Sequence, residues 1–157
     1  MEAVPGNIRR AEHFIAFMKK IVEHFKTRLK SVAENGSVQS ETPLAFLHRI
    51  MIGTALEPKP LKFAYSRLNS LLQTLQVSNL DDFTSLADVA DFCTLLSTYS
   101  EGIPKFAIVM EPNASTLPGV IDPVIQLACL DSSLAIAPVF KRFSNVIITS
   151  GTLSPIE

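Results

Sequence analysis

The apolar positions Ile8, Ala11, Phe14, Ile15, Met18, Ile21, Val22, Phe25, Leu29 and Val32 recur every three to four residues. That spacing places them on one face of a helix. The other side carries Arg9, Arg10, Lys19, Lys20, Lys26 and Lys30. The pattern predicts a single amphipathic helix of about 25 residues, roughly 38 Å long at 1.5 Å per residue. Asn7, after Pro5-Gly6, is positioned to cap its start, and Asn35-Gly36-Ser37 to end it. The polar stretch that follows, through Thr42, reads as a mobile loop.

A second helix is predicted to begin at Thr42-Pro43, with proline at the first helical position, and to carry Phe46, Leu47, Ile50 and Met51 inward. Glu57-Pro-Lys-Pro60 breaks it. A third presents Leu61, Ala64, Tyr65, Leu68, Leu72 and Leu75 on one face. Asn79 to Asp82 turns the chain and gives a fourth an acidic start that suits the helix dipole. This helix buries Phe83, Leu86, Ala90, Cys93 and Leu96 and ends near Gly102.

After Gly102 the period shortens. Phe106–Met110 and Val124–Cys129 read as strands, separated by a proline-rich loop over 112–123. Asp131-Ser-Ser caps a short helix running through Phe143, kinked or started late by Pro138. Val146, Ile147 and Ile148 then form an unbroken β-branched run, the mark of a strand buried on both faces of a mostly parallel sheet. It leads into Thr149, Ser150, Gly151 and Thr152, three small hydroxyl residues and a glycine suited to a loop beyond a strand's carboxyl end, and the chain stops soon after. A sheet strand with so few companions implies a piece of a larger protein. The fold class expected is α+β: about four helices over residues 1–103, then a βαβ-containing piece over 104–157.

Composition changes this picture little. The chain is 47% hydrophobic and 18% charged, which excludes wholesale disorder. No apolar window reaches the length of a membrane span, so no membrane partner is expected. Cys93 and Cys129 lie far apart within apolar runs, and both are expected to be buried thiols. His13, His24 and His48 are not spaced as metal ligands, so no metal site is expected. Charge is lopsided: residues 1–67 hold 11 Lys/Arg against 6 Asp/Glu, and residues 68–157 hold 3 against 9. The basic half, with Arg9, Arg10, Lys19, Lys20 and Lys26, is the place to look for contacts with nucleic acid or an acidic partner. Phe14, Phe17, Phe25 and Phe46 are more aromatic surface than one helical core obviously needs; most are expected to pack in the core, and part of the surface lined by the first two helices is expected to dock a partner.

Three stretches carry a resemblance. Asp131-Ser-Ser-Leu-Ala-Ile-Ala-Pro-Val-Phe-Lys-Arg-Phe-Ser-Asn-Val-Ile-Ile-Thr-Ser-Gly-Thr-Leu-Ser-Pro155 is similar to the segment of XPD-type DNA helicases that holds the third helicase motif. Glu2-Ala-Val-Pro-Gly-Asn-Ile-Arg-Arg-Ala-Glu-His-Phe14 and Phe92-Cys-Thr-Leu-Leu-Ser-Thr-Tyr99 resemble the helical insert of the same family, the arch.

The resemblance implies an arch portion over 1–103 and the closing part of a RecA-like first motor domain over 104–157. The parent would be a nuclear, ATP-driven 5′-to-3′ DNA helicase of the general transcription and repair factor IIH, acting in nucleotide excision repair and transcription initiation. Thr149, Ser150, Gly151 and Thr152 would couple nucleotide state to domain movement. The implied partners are single-stranded DNA and other subunits of that factor, including the kinase-assembly subunit docked on the arch. The parent's cofactors would be ATP, Mg2+ and a [4Fe-4S] cluster. None has its motif in this chain: there is no GxxxxGK[ST] loop, no Asp-Glu magnesium motif and no set of four cysteines. The chain alone is therefore expected to be catalytically inactive. A stand-alone helical interaction module and a related iron–sulfur repair helicase are the alternative readings.

Overall fold

In a computed structural model, residues 11–101 and 105–149 are described. The long first helix, α1, runs Ala11–Asn35 and buries Phe14, Phe17, Met18, Ile21 and Val32. It stops where Gly36 adopts a positive φ of 67° and its N–H reaches back to the Val32 carbonyl at 3.1 Å. A side chain there would strain the turn. The start predicted at Asn7 lies outside the described residues.

The polar stretch expected to be a mobile loop instead contains a strand, β1 (Gln39–Glu41). Arg28, projecting from α1, donates to Gln39 Oε1 at 2.8 Å. Glu41 sits between two cations, 3.5 Å from Arg28 and 2.8 Å from Arg49. Three polar residues thus form a strand because long side chains from both flanking helices hold them, which no hydrophobic period announces.

Helix α2 (Pro43–Thr54) begins as predicted: Thr42 Oγ1 accepts from the Ala45 N–H at 3.2 Å and Pro43 takes the first turn. The prolines after it nucleate a short helix, α3 (Pro58–Lys62), rather than only breaking α2. Helix α4 (Ala64–Thr74) buries Leu68 and Leu72, and α5 (Thr84–Tyr99) follows a 3-10 turn at Asp81–Phe83. Ala90, Cys93 and Leu96 are its buried residues.

The sheet has order β1-β2-β3 and is antiparallel throughout, where the sequence suggested mostly parallel strands. Strand β2 (Phe106–Glu111) is central, paired with β1 through Gln39–Met110 and Glu41–Ile108, and with β3 (Val124–Cys129) along its whole length. Ile108 and Met110, on one face of β2, are fully buried and join the helical residues in one core. Ile125 and Leu127, opposite them on β3, pack against the same core.

Helix α6 (Ser133–Arg142) is capped from Asp131, whose carboxylate accepts from the Ser133 N–H and hydroxyl, and it accommodates Pro138 within its length. The predicted strand at Val146–Ile148 does not form: these residues carry no ladder, and Ile147 is 91% exposed. A strand's backbone donors and acceptors need a neighbour to bond, and no described strand lies beside this run. The chain as described is thus α+β, with the helical segment first and the strand-containing piece after it.

Candidate functional site

The aromatic residues of the first two helices turn inward. Phe14, Phe17 and Phe46 are no more than 4% exposed, and Phe25, Phe46 and Phe92 meet with ring centroids 5.6 to 6.4 Å apart. The Phe25 and Phe46 rings both stand edge-on to Phe92, the favourable arrangement for aromatic quadrupoles. Most of them are core, as expected, with Phe25 partly buried against it, and Phe14 also lines the groove described next.

What the structure does expose is a groove. Phe14, Ile15, Met18 and Val22 on α1 form one wall, and Leu68, Leu71, Leu72 and Leu75 at α4 form the other, with Phe83 and Leu86 also lining it. Its volume is about 710 Å³. Met18, Leu68 and Leu72 floor it, whereas Ile15 and Leu75 stand 52% and 67% exposed at its edges. The charged residues lining it all belong to α1: Lys19, Lys20 and Lys26, with Glu23 among them. Lys20 Nζ donates to the Thr54 carbonyl at 3.3 Å, so it is partly committed to α2. Lys19 and Lys26 have no ion-pair partner among the described residues.

Three of the five predicted basic contact residues thus gather along one groove. Arg9 and Arg10 lie outside the described residues, as do Ser150, Gly151 and Thr152 of the predicted coupling motif. Thr149 is described and is exposed. Leu71, Leu75 and Leu86 escaped the sequence reading as site residues. The signal for them was Leu75 itself, a large apolar side chain on a helix face that needed something to cover it.

Next to the groove, and sharing Lys20 and Glu23 with it, a polar pocket lies between Lys20, Glu23, His24, Thr27, Gly53 and Thr54. Burial, helped by the nearby Arg28 guanidinium, holds the His24 imidazole below its ordinary 6.5. A Cβ built on Gly53 would come within 2.8 Å of His24 Nδ1, so the two helices meet there only because residue 53 lacks a side chain. His24 is thus partly buried where α1 and α2 meet.

Cys93 is buried, its thiol pushed up to about 12 by desolvation, whereas Cys129 is exposed on β3, against the expectation of a second buried thiol. Among the described residues no three His, Cys, Asp or Glu side chains are placed to hold a metal ion. A [4Fe-4S] cluster needs four thiolates, and these two separated cysteines do not fit one. Asp131 accepts from Ser133 and pairs with Lys105 at 3.0 Å, and these bonds bring its carboxyl down to about 2. They serve the start of α6. No helix among the described residues is long and apolar enough to cross a membrane.

A long amphipathic helix, a strand that bridges it to a later sheet and helices closing the core above are the features of one domain class. Residues 1–102 match the family described as the helical and beta-bridge domain. The chain belongs to that family, in its XPD branch. It is 50% identical over 156 residues to the general transcription and DNA repair factor IIH helicase subunit XPD/RAD3 of Saccharomyces cerevisiae. It is also 50% identical to the XPD subunit of Schizosaccharomyces pombe and 46% identical to that of Arabidopsis thaliana. Each alignment covers 99% of this chain and 19 or 20% of the relative, so the chain spans about a fifth of the length of these proteins.

Proposed function

We propose that this chain is the arch and adjoining motor segment of an ATP-dependent 5′-to-3′ DNA helicase that works in the nucleus, in nucleotide excision repair and transcription initiation. The observation that carries the reading is the 50% identity to a factor IIH helicase subunit across 99% of the chain. Residues 1–103 then act as the arch portion and residues 104–157 as the closing part of the first motor domain, with the β1–β2 pairing tying the two together. ATP, Mg2+ and the [4Fe-4S] cluster belong to other parts of the parent. In this role Lys19, Lys20 and Lys26, with Arg9 and Arg10, face single-stranded DNA or another subunit of the factor, the kinase-assembly subunit among them. Thr149, Ser150, Gly151 and Thr152 couple nucleotide state to movement, because small hydroxyls can exchange hydrogen bonds between loops without a steric barrier.

The test is made in the intact parent. Thr152→Ala should leave the fold and ATP binding in place while lowering strand separation per ATP consumed. An unchanged ratio would remove the coupling role. The isolated chain should show no DNA-stimulated ATP hydrolysis, and its capture of the kinase-assembly subunit should weaken with charge reversal at Lys19 and Lys20. Hydrolysis that tracks the purified protein would overturn the reading.

A further inference from the structure

The groove between α1 and α4 is apolar along its length and bordered by positive charge on one side only. Its α1 wall, from Ala11 to Lys26, extends roughly 22 Å, or about four helical turns. Ile15 on α1 and Leu75 at the end of α4 line it and are both half or more exposed. A groove of this length and polarity accepts the apolar face of another helix, read by contacts one turn apart. Lys19 and Lys26, two turns apart on α1, would then lie beside the polar flank of the incoming helix, and Glu23 between them partly offsets them.

We propose that this groove is a docking site for an acidic amphipathic helix of a partner protein, roughly four turns long, whose leucine-type face enters between Ile15 and Leu75 and whose carboxylates meet Lys19 and Lys26. The inference rests on the reading that the arch serves as a docking surface within a larger assembly, and it adds the place and the chemistry of the contact. Charge complementarity selects the partner: a basic helix with the same apolar face meets two unpaired lysines at close range, and like charges in a partly dry groove repel.

The experiment uses the full 157-residue chain and two fluorescent 18-residue peptides with one leucine face, one carrying glutamate and the other lysine at every remaining surface position. Anisotropy should show the acidic peptide binding at least tenfold more tightly, with affinity falling as salt rises. Lys19→Glu with Lys26→Glu should invert the preference. Ile15→Asp with Leu75→Asp should abolish binding of both peptides, while circular dichroism stays unchanged because both sites are exposed. Equal affinity for the two peptides, or acidic-peptide binding that survives Ile15→Asp with Leu75→Asp, would overturn the proposal. So would acidic-peptide binding that appears only when residues 1–10 are removed, which would make the chain's own N-terminal segment the occupant. Concentration-dependent dimerisation abolished by Ile15→Asp would overturn it too, in favour of a second copy. Undiminished capture of the kinase-assembly subunit by the groove variants would sink the groove and spare the proposed function. Peptide binding without any subunit capture would do the reverse.

Discussion

Residues 11–101 and residues 105–149 bury their apolar side chains to different depths. In the first region every helix contributes to one core, with Ile21, Phe46, Ile50, Leu61 and Leu96 wholly out of solvent. In the second only β2 reaches that depth, through Ile108 and Met110. Helix α6 buries nothing fully, and Phe140, Phe143 and Leu130 are each more than half exposed. The contrast follows from the sheet. Strand β2 is clamped between β1 and β3, so one of its faces is pressed against the helices, whereas α6 is joined to the body mainly through its cap at Asp131. Apolar content alone thus says little about burial; packing against the helical core decides it.

Substitutions on the two sides of this contrast should differ several-fold. Phe46→Ala empties the aromatic cluster and should cost about 4 kcal/mol, and Ile108→Ala about 3 kcal/mol, by denaturant unfolding of the chain. Equal costs for Ile108→Ala and Phe140→Ala would dissolve the distinction between β2 and the rest of its region.

Glu41→Ala removes the anion that holds both Arg28 and Arg49 and leaves Arg28 half-buried beside Gln39. It should cost about 2 kcal/mol, the size of a hydrogen-bonded charge lost from a partly dry site. Hydrogen exchange should then report faster opening of β1 and of the Ser40–Val109 edge of β2 while the α4–α5 amides keep their protection. Uniform acceleration everywhere would show that β1 is no separate hinge of stability.

Gly53→Ala tests the crossing of α1 and α2. Replacing a helical glycine with alanine ordinarily gains up to about 1 kcal/mol. Here the new methyl meets the His24 ring, so the single change should destabilise, and His24→Ala should restore the ordinary gain. His24 also gives the region a pH dependence. Its folded value lies below the unfolded 6.5, so the unfolded chain binds the proton more readily and stability falls as pH drops below 6.5. Thermal melts at pH 7.5 and 5.5 should therefore converge on each other when His24 is replaced by phenylalanine.

Asp131 gives the second region a sensitivity of the same sign, at far lower pH. Its carboxylate stays ionised down to about 2, so its contribution to capping α6 is full above its ordinary 3.8 and fades between there and 2. Ser133→Ala should move its titration, followed by NMR, back toward the ordinary carboxylate range. The smallest effect is expected at Phe140→Ala, within about 0.5 kcal/mol of neutral, since a half-exposed ring has little burial to lose.

Much of the helical region was legible because periodicity reports burial directly: α1, α2 and α5 lie where their apolar positions repeat, and Thr42-Pro43 marks the start of α2 to the residue. Strand β1 was not legible, since Gln39, Ser40 and Glu41 become a strand through partners on two other helices and on β2. Val146 to Ile148 failed in the other direction. Its composition favours a strand, but β-branched residues specify only a tendency until a neighbour supplies the ladder. The groove was half legible: its lysines were picked out by charge, whereas its opposite wall depends on how α4 lies against α1, which no local pattern encodes.

The β1–β2 pairing also sets the order in which the protein can be made. Gln39 meets Met110 roughly seventy positions further along the chain, a separation that ribosomal synthesis takes several seconds to cover at ordinary speeds. During that interval α2 to α5 are themselves being made, the places of Ile108 and Met110 stand empty, and β1 offers an open edge. Binding factors that shield apolar surface have their opportunity then, and the window closes when the tenth residue past Ser100 leaves the exit tunnel.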